Sequence, residues 1–314
     1  MVESKHPWKA WLYLAPAIVL LLVFTVWPIV NTLRMAFLEN YNIMAATVPG
    51  VTFKVGLGNF KQVLQYGGFL TCLGNTMLIC FLTVPISTFL ALIIAVCLNA
   101  IKPLQRMLQT IFFLPYVTNS IAIGMVFAAM FNMIGNNFGG EGELLITAGI
   151  INNVIEFFGG ERINWINVGS SYMANIFVMV VYIVWNALPF KILILLGGLQ
   201  SVNKQYYDAA KVDGTSRVRT FWRIIVPLLS PMIAYVVITG FIGGFKEYSS
   251  IVGIFGEDMG PTGAPRRLNT MVGFIYDALS NHQGRASAAA LILFGIIFVV
   301  TMINLWVSKK KTHY

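Results

Sequence analysis

The sequence predicts an all-α membrane protein with six transmembrane helices and both chain termini in the cytoplasm. Three observations carry this prediction: an apolar, weakly charged composition, six apolar runs of bilayer length, and a one-sided distribution of Lys and Arg. Of the 314 residues, 57% are hydrophobic and 11% are charged, whereas a soluble domain carries about a quarter charged residues. This much apolar surface exceeds what one soluble core can hide. The net charge of +9 arises from short basic clusters beside apolar runs. That pattern belongs to inward-facing membrane loops and argues against nucleic acid as a partner. The whole chain, residues 1–314, reads as one transmembrane domain.

A helix crosses a bilayer with roughly 20 apolar residues, because lipid offers no partner to backbone polar groups. The first such run, 11–35, follows Lys5 and Lys9 and stays uncharged from Ala10 to Leu33. It is long enough to span and stay, which a signal-peptide core is not. The second, 69–98, lies in a charge-free stretch between Lys61 and Lys102. The third covers 107–133 and the fourth 170–196. In the fifth, 222–245, Pro227 and Pro231 stand four apart in the first turns and predict a bend. The sixth covers 286–308.

Orientation follows from the basic residues beside the short loops. The N-terminal tail, the loop holding Lys102 and Arg106, the loop from Lys204 to Arg223 and the terminal Lys309, Lys310 and Lys311 fall on one side if the spans alternate. These segments hold 12 of the 21 Lys and Arg residues. The opposite loops hold Glu39, Glu141, Glu143, Glu156, Glu161, Glu257 and Asp258. In the outer loop 134–168, Gly139-Gly140 and Gly159-Gly160 read as turns. Its apolar stretch LLITAGIINNVIEFF is too short to span and predicts an interfacial or surface helix. Cys72, Cys80 and Cys97 read as small buried hydrophobes. His6, His282 and His313 are isolated and give a metal centre nothing to build on.

The loop 199–221 is the most informative segment. Ser201 can cap a short helix, VNKQYYDAAKV, which Asp213-Gly214 stops. Ala209 and Ala210 leave that helix bare, so another protein's surface can approach its backbone. Ser216 can cap the next helix, with Arg217, Arg219 and Arg223 holding its start at the inner membrane face. An ordinary inter-span loop is equally compatible with these features taken alone. No G-x-x-x-x-G-K-[ST] phosphate loop occurs, so the chain cannot by itself hydrolyse ATP in the usual way.

The order of Asp208, Ala209, Ala210, Asp213, Gly214, Phe221, Ile224 and Pro227 resembles the EAA loop of bacterial ABC importer permeases. Asp208 stands where that family usually has Glu, and Thr215 where it often has Ala. Four further stretches resemble the sugar-importing branch, typified by the first membrane subunit of maltose-type systems. They are YLAPAIVLLLVFTVWPIVNTLRMAF, VGLGNFKQVL, LQRMLQTIFFLPYV and GGLQSVNKQYYDAAKVDG. The resemblance covers nearly the whole chain. It implies a type I ABC importer permease in a bacterial cytoplasmic membrane, without enzymatic activity or a cofactor of its own, ATP being bound by partner subunits. The implied partners are a second similar permease, two cytoplasmic ATPase subunits, an extracytoplasmic solute-binding protein and the lipid bilayer. Tyr207, Asp208, Ala209, Ala210, Asp213 and Gly214 would form the coupling helix. Transport would proceed by alternating access, with a sugar, oligosaccharide or glycerol-phosphate-type solute as cargo.

The same resemblance places part of the solute path near the outer end of the fifth span. There Glu247, Tyr248 and Ser249 offer acceptors and an aromatic face, and Gly243-Gly244 admits a ligand near the backbone. Interfacial exposure of Lys246 and Glu247 is the competing reading. In the fourth span Tyr182 and Asn186 share a face, beside Trp185, and either bond a neighbouring helix or line the path. Lys191 either snorkels to the inner face or is a functional charge within the span. A secondary transporter or channel would call for inverted repeats or ionisable groups at span centres, an intramembrane enzyme for clustered catalytic side chains. Neither pattern is evident. A membrane scaffold or receptor would have no transport path, which solute-uptake assays test.

Overall fold

Apolar helices dominate the computed structural model, which describes residues 8–101, 105–138 and 144–311. Lys5, His6, Lys102, Gly139, Gly140, Glu141, Glu143 and His313, all named above, lie outside the described residues. In chain order the helices are α1 (Trp8–Phe37), α2 (Ile43–Ala46), α3 (Gly58–Gln65), α4 (Phe69–Ala100), α5 (Gln105–Val117) and α6 (Ser120–Phe131). A hairpin of β1 (Met133–Phe138) and β2 (Leu144–Ala148) follows, then α7 (Ile150–Phe157), α8 (Tyr172–Ser201) and α9 (Lys204–Val212). The chain continues as α10 (Arg217–Leu228), α11 (Ser230–Phe245), α12 (Ser249–Phe255), α13 (Met271–Leu279) and α14 (Gln283–Lys311).

Among the described residues, α1, α4, α8 and α14 are each long and apolar enough to cross a membrane, and the bent pair α10–α11 makes a fifth crossing if taken as one span. The expected third span is instead two shorter helices. Asn119 starts the second of them: its side-chain oxygen accepts from the main-chain N–H of Ile121 at 2.8 Å and of Ala122 at 3.4 Å, ending one helix and capping the next. The expected bend is present, at 69° between α10 and α11. Pro227 and Pro231 deprive the carbonyls of Arg223 and Pro227 of their helical donors. In both α1 and α10, a five-residue π-turn, Leu22–Val26 or Phe221–Ile225, directly precedes a proline-bearing turn. Each widened turn relieves the clash that Pro28 or Pro227 would otherwise force on the preceding carbonyl.

The apolar stretch 144–158 divides where a single surface helix was expected. Its first part pairs as β2, antiparallel to β1 with Met133 opposite Ala148, and only Ile150–Phe157 is helical. Gly149 separates the two because it packs against the end of α6. A Cβ there would stand 2.4 Å from the Met130 carbonyl oxygen. Gly159, at φ +80°, makes the turn expected of the second Gly pair. Cys72 and Cys80 are buried as expected, but Cys97 is exposed.

The described residues group into two compact units. One comprises the chain up to Phe69 together with Phe274–Phe294. Its polar centre is Asn59, which donates to the carbonyls of Ala36 and Leu38 at 3.0 and 2.7 Å and accepts from Asn40 N–H at 3.1 Å. Asn59 thereby satisfies carbonyls that the end of α1 leaves open. The other unit comprises Leu70–Gly273 and the chain from Gly295. It holds two apolar clusters, one around Met179, Tyr182 and Ile251, the other around Leu92, Leu195, Leu199 and Leu229.

Candidate functional site

A cavity of about 270 Å³ lies in the second unit, walled by α4, α5, α8, α11 and the residues after α11. Its size suits a small polar ligand or part of a larger one. The α4 wall contributes Val84 and two hydroxyl-bearing residues, Thr83 and Ser87, within an apolar helix. Tyr116 of α5 and Phe190 of α8 stack at 5.8 Å between ring centres on another side. Gly240 and Gly244 let α11 approach closely: a Cβ on Gly240 would stand 3.1 Å from Val84 Cγ1, and one on Gly244 2.7 Å from Cys80 Sγ.

Three of the six expected path residues meet at this cavity: Asn186, Gly244 and Glu247. Glu247 Oε1 accepts from Ser250 N–H at 3.1 Å, and its carbonyl accepts from the Thr270 hydroxyl at 2.9 Å. The other three lie off the lining. Tyr182 is fully buried and its hydroxyl donates to the Ser120 carbonyl, so it ties α8 to α6. Tyr248 packs beside the cluster around Ile251, and Ser249 opens α12 on the exposed side.

Lys191 does not snorkel. It is 4% exposed, and its ammonium donates to Val84 O at 3.2 Å, Ser87 Oγ at 2.6 Å and Thr88 Oγ1 at 3.0 Å. These contacts use the three N–H groups of the side chain. Nearby oxygens on α4 therefore win over the inner interface. Gly240 makes the room, since a Cβ there would come within 3.2 Å of Nζ. Lys191 and Glu247 wall the same cavity, yet the ion pairs among the described residues are Arg162–Glu156 and Lys211–Asp208. The cavity thus presents a positive and a negative group that do not neutralise each other directly. Of its lining residues, the sequence reading missed Tyr116, Phe190 and the α4 hydroxyls. The available signal was Thr83 and Ser87, four apart on one face of an otherwise apolar run.

Helix α9 carries the expected coupling residues. Its cap is Asn203, whose side chain accepts from Gln205 N–H at 3.0 Å, and not Ser201, which ends α8 by donating to the Gly198 carbonyl at 2.7 Å. The other end is a Schellman closure: Thr215 N–H reaches Ala210 O at 3.0 Å and Gly214 N–H reaches Lys211 O at 3.1 Å. Gly214 sits at φ +62°, a conformation costly for other residues. Ala210 is buried, so only Ala209 is open to an approaching surface. Tyr207 packs inward on the cluster around Leu199, and its hydroxyl is buried without a partner among the described residues. Burial pushes that phenol above its ordinary pKa. Outward, Tyr206 and Val212 are 52% and 88% exposed, and Asp208 pairs with Lys211 at the surface. Ser216 caps the next helix as expected, accepting from Arg219 N–H at 3.3 Å.

Long apolar helices around a cavity with hydroxyl, amide, ammonium and carboxylate groups mark a multi-pass membrane protein with a polar-lined interior. The chain belongs to the family of binding-protein-dependent transport system inner membrane components, whose profile matches residues 87–313. It is 28% identical over 302 residues to the arabinooligosaccharides transport system permease protein AraP of Bacillus subtilis (strain 168), covering 95% of this chain and 88% of the relative. It is also 28% identical over 307 residues to the multiple sugar-binding transport system permease protein MsmF of Streptococcus mutans, covering 96% and 95%. The fold is similar to a bacterial ABC transporter involved in import of the acidic polysaccharide alginate. The TM-score is 0.76 at 19% identity, covering 98% of this chain and 96% of that one.

Proposed function

We propose that this chain is the permease subunit of an ATP-driven importer that carries a sugar or oligosaccharide across the cytoplasmic membrane by alternating access. It pairs with a second, similar permease above two ATPase subunits, and an extracytoplasmic binding protein delivers the solute. The chain crosses the bilayer six times, α5 and α6 together forming the third crossing, with both termini in the cytoplasm. Carbohydrate cargo is supported by what the relatives' names say they transport. The cavity's hydroxyls, amide and stacked aromatics suit a polyhydroxylated ligand.

The observation that carries the coupling role is the construction of α9. It is capped at both ends, anchored inward by Tyr207 and Ala210, and open outward at Ala209 and Val212. A segment that passes on motion from a docked ATPase needs this rigidity; a floppy loop would absorb the displacement. The test is to measure ATP hydrolysis and solute uptake together in reconstituted transporter carrying Ala209→Arg or Gly214→Pro. Hydrolysis should persist while uptake falls at least tenfold. Wild-type uptake by both variants would refute the role.

A further inference from the structure

We infer that the inner-leaflet half of the bent helix binds an anionic phospholipid. A second cavity in the same unit, about 560 Å³, runs between α10–α11 and the last turns of α14. It straddles the 69° bend: Val226 and Pro227 line it before the break, Ser230, Ala234 and Ile238 after it. The groove therefore owes part of its shape to the bend.

Both walls place a cation and polar side chains at one end, and the first continues into hydrocarbon. On the first, exposed Arg223 stands one turn before Pro227, then comes the Ser230 hydroxyl, then Ile233, Val237 and Ile238. On the second, exposed Lys309 adjoins Ser308, followed by the Asn304 amide. Cation, hydroxyl or amide, then hydrocarbon is the order of a phospholipid read from phosphate through glycerol esters to acyl chain. Val226 to Ile238 spans at most about 18 Å of helix, close to the roughly 15 Å of one leaflet's hydrocarbon. Two cations near the surface select for an anionic headgroup. A neighbouring apolar helix would fill the wall but would offer Arg223 and Lys309 no counter-charge.

The assignment rests on the cytoplasmic placement of Arg223 and Lys309. Labelling Lys309→Cys in intact cells with a membrane-impermeant thiol reagent tests that placement separately: labelling from outside would refute the topology. The lipid test is native mass spectrometry of intact transporter taken from nanodiscs of equal phosphatidylglycerol and phosphatidylcholine. Wild type should retain phosphatidylglycerol preferentially. Arg223→Gln with Lys309→Gln should lower that preference by roughly twenty-five-fold, taking about five-fold per cation. Ala234→Trp, which fills the groove, should abolish retention. Equal retention of the two lipids by wild type would overturn the inference whatever the variants do. So would crosslinking of Ala234→Cys to another polypeptide in place of a photoreactive phosphatidylglycerol.

Discussion

The Lys191 contacts make the sharpest prediction. An ammonium inside a membrane span is expensive, several kcal/mol even after relaxation. Against this stand three hydrogen bonds at 3.2, 2.6 and 3.0 Å, each worth about 1.5–3 kcal/mol when one partner is charged. The two totals nearly cancel, so Lys191→Met should change stability by no more than about 2 kcal/mol. The hydroxyls it abandons keep partners of their own, since Ser87 and Thr88 both donate to Val84 O, at 3.2 and 2.7 Å. The pairwise coupling is a different matter. A double-mutant cycle of Lys191→Met with Thr88→Val, read by thermal unfolding of the purified transporter, should give a coupling energy of about 1–2 kcal/mol. The native lysine should also resist amine-reactive labels in membranes. A coupling energy below about 0.3 kcal/mol, together with ready labelling, would show that the side chain reaches the interface instead.

Three further outcomes follow from individual contacts. Gly124→Ala should cost about 1–3 kcal/mol by overpacking, because its Cβ would meet Gly253 Cα at 2.7 Å where α6 crosses α12; thermal unfolding measures it. Asn59→Ala should destabilise by about 2–4 kcal/mol, orphaning buried carbonyls at the end of α1, with faster hydrogen exchange at Asn40 as the local readout. Asn203→Ala removes the α9 cap and should cost about 1 kcal/mol, lowering uptake per ATP hydrolysed; Asn203→Asp, which caps equally well, should restore it.

What the sequence made legible was whatever depends on one stretch of chain. The long spans α4, α8 and α14, the bend at Pro227 and Pro231, and the Gly214 helix stop all follow from local composition, proline geometry and positive φ. Where alternatives stayed open for a side chain, neighbours distant in sequence decided between them. Lys191 could snorkel or turn inward on its own stem length, and oxygens more than 100 residues away on α4 decided it. Tyr182 and Asn186 share a face on α8, yet the first is taken by the Ser120 carbonyl and only the second lines the cavity. Ser201 and Asn203 are both capable caps, and the extra turn of α8 shifted the role to the second. The break at Asn119 was readable in principle, since an Asn before an apolar run is a helix-start signal. Bilayer length outweighed it.

Helix α8 joins the two halves of the proposed mechanism. Its 30 residues extend about 45 Å, with Asn186 and Lys191 on the cavity and Ser201 at the turn into α9. Between them Ile192, Leu195, Leu196 and Leu199 are buried in the same cluster as Leu92 of α4 and Ile225 and Leu229 of α10–α11, and Tyr207 of α9 packs against that cluster. A close-packed core of this kind is stiff and transmits displacement. In the proposed arrangement, force applied to α9 would reach α4, α8 and the bent helix together, and these three carry the Lys191 contacts, the Gly240 gap and Glu247's approach to the cavity. A push that tilts α8 against α4 must strain or break the hydrogen bonds from Lys191. The cavity and α9 are thus two ends of one packed element, which is what the proposed coupling requires.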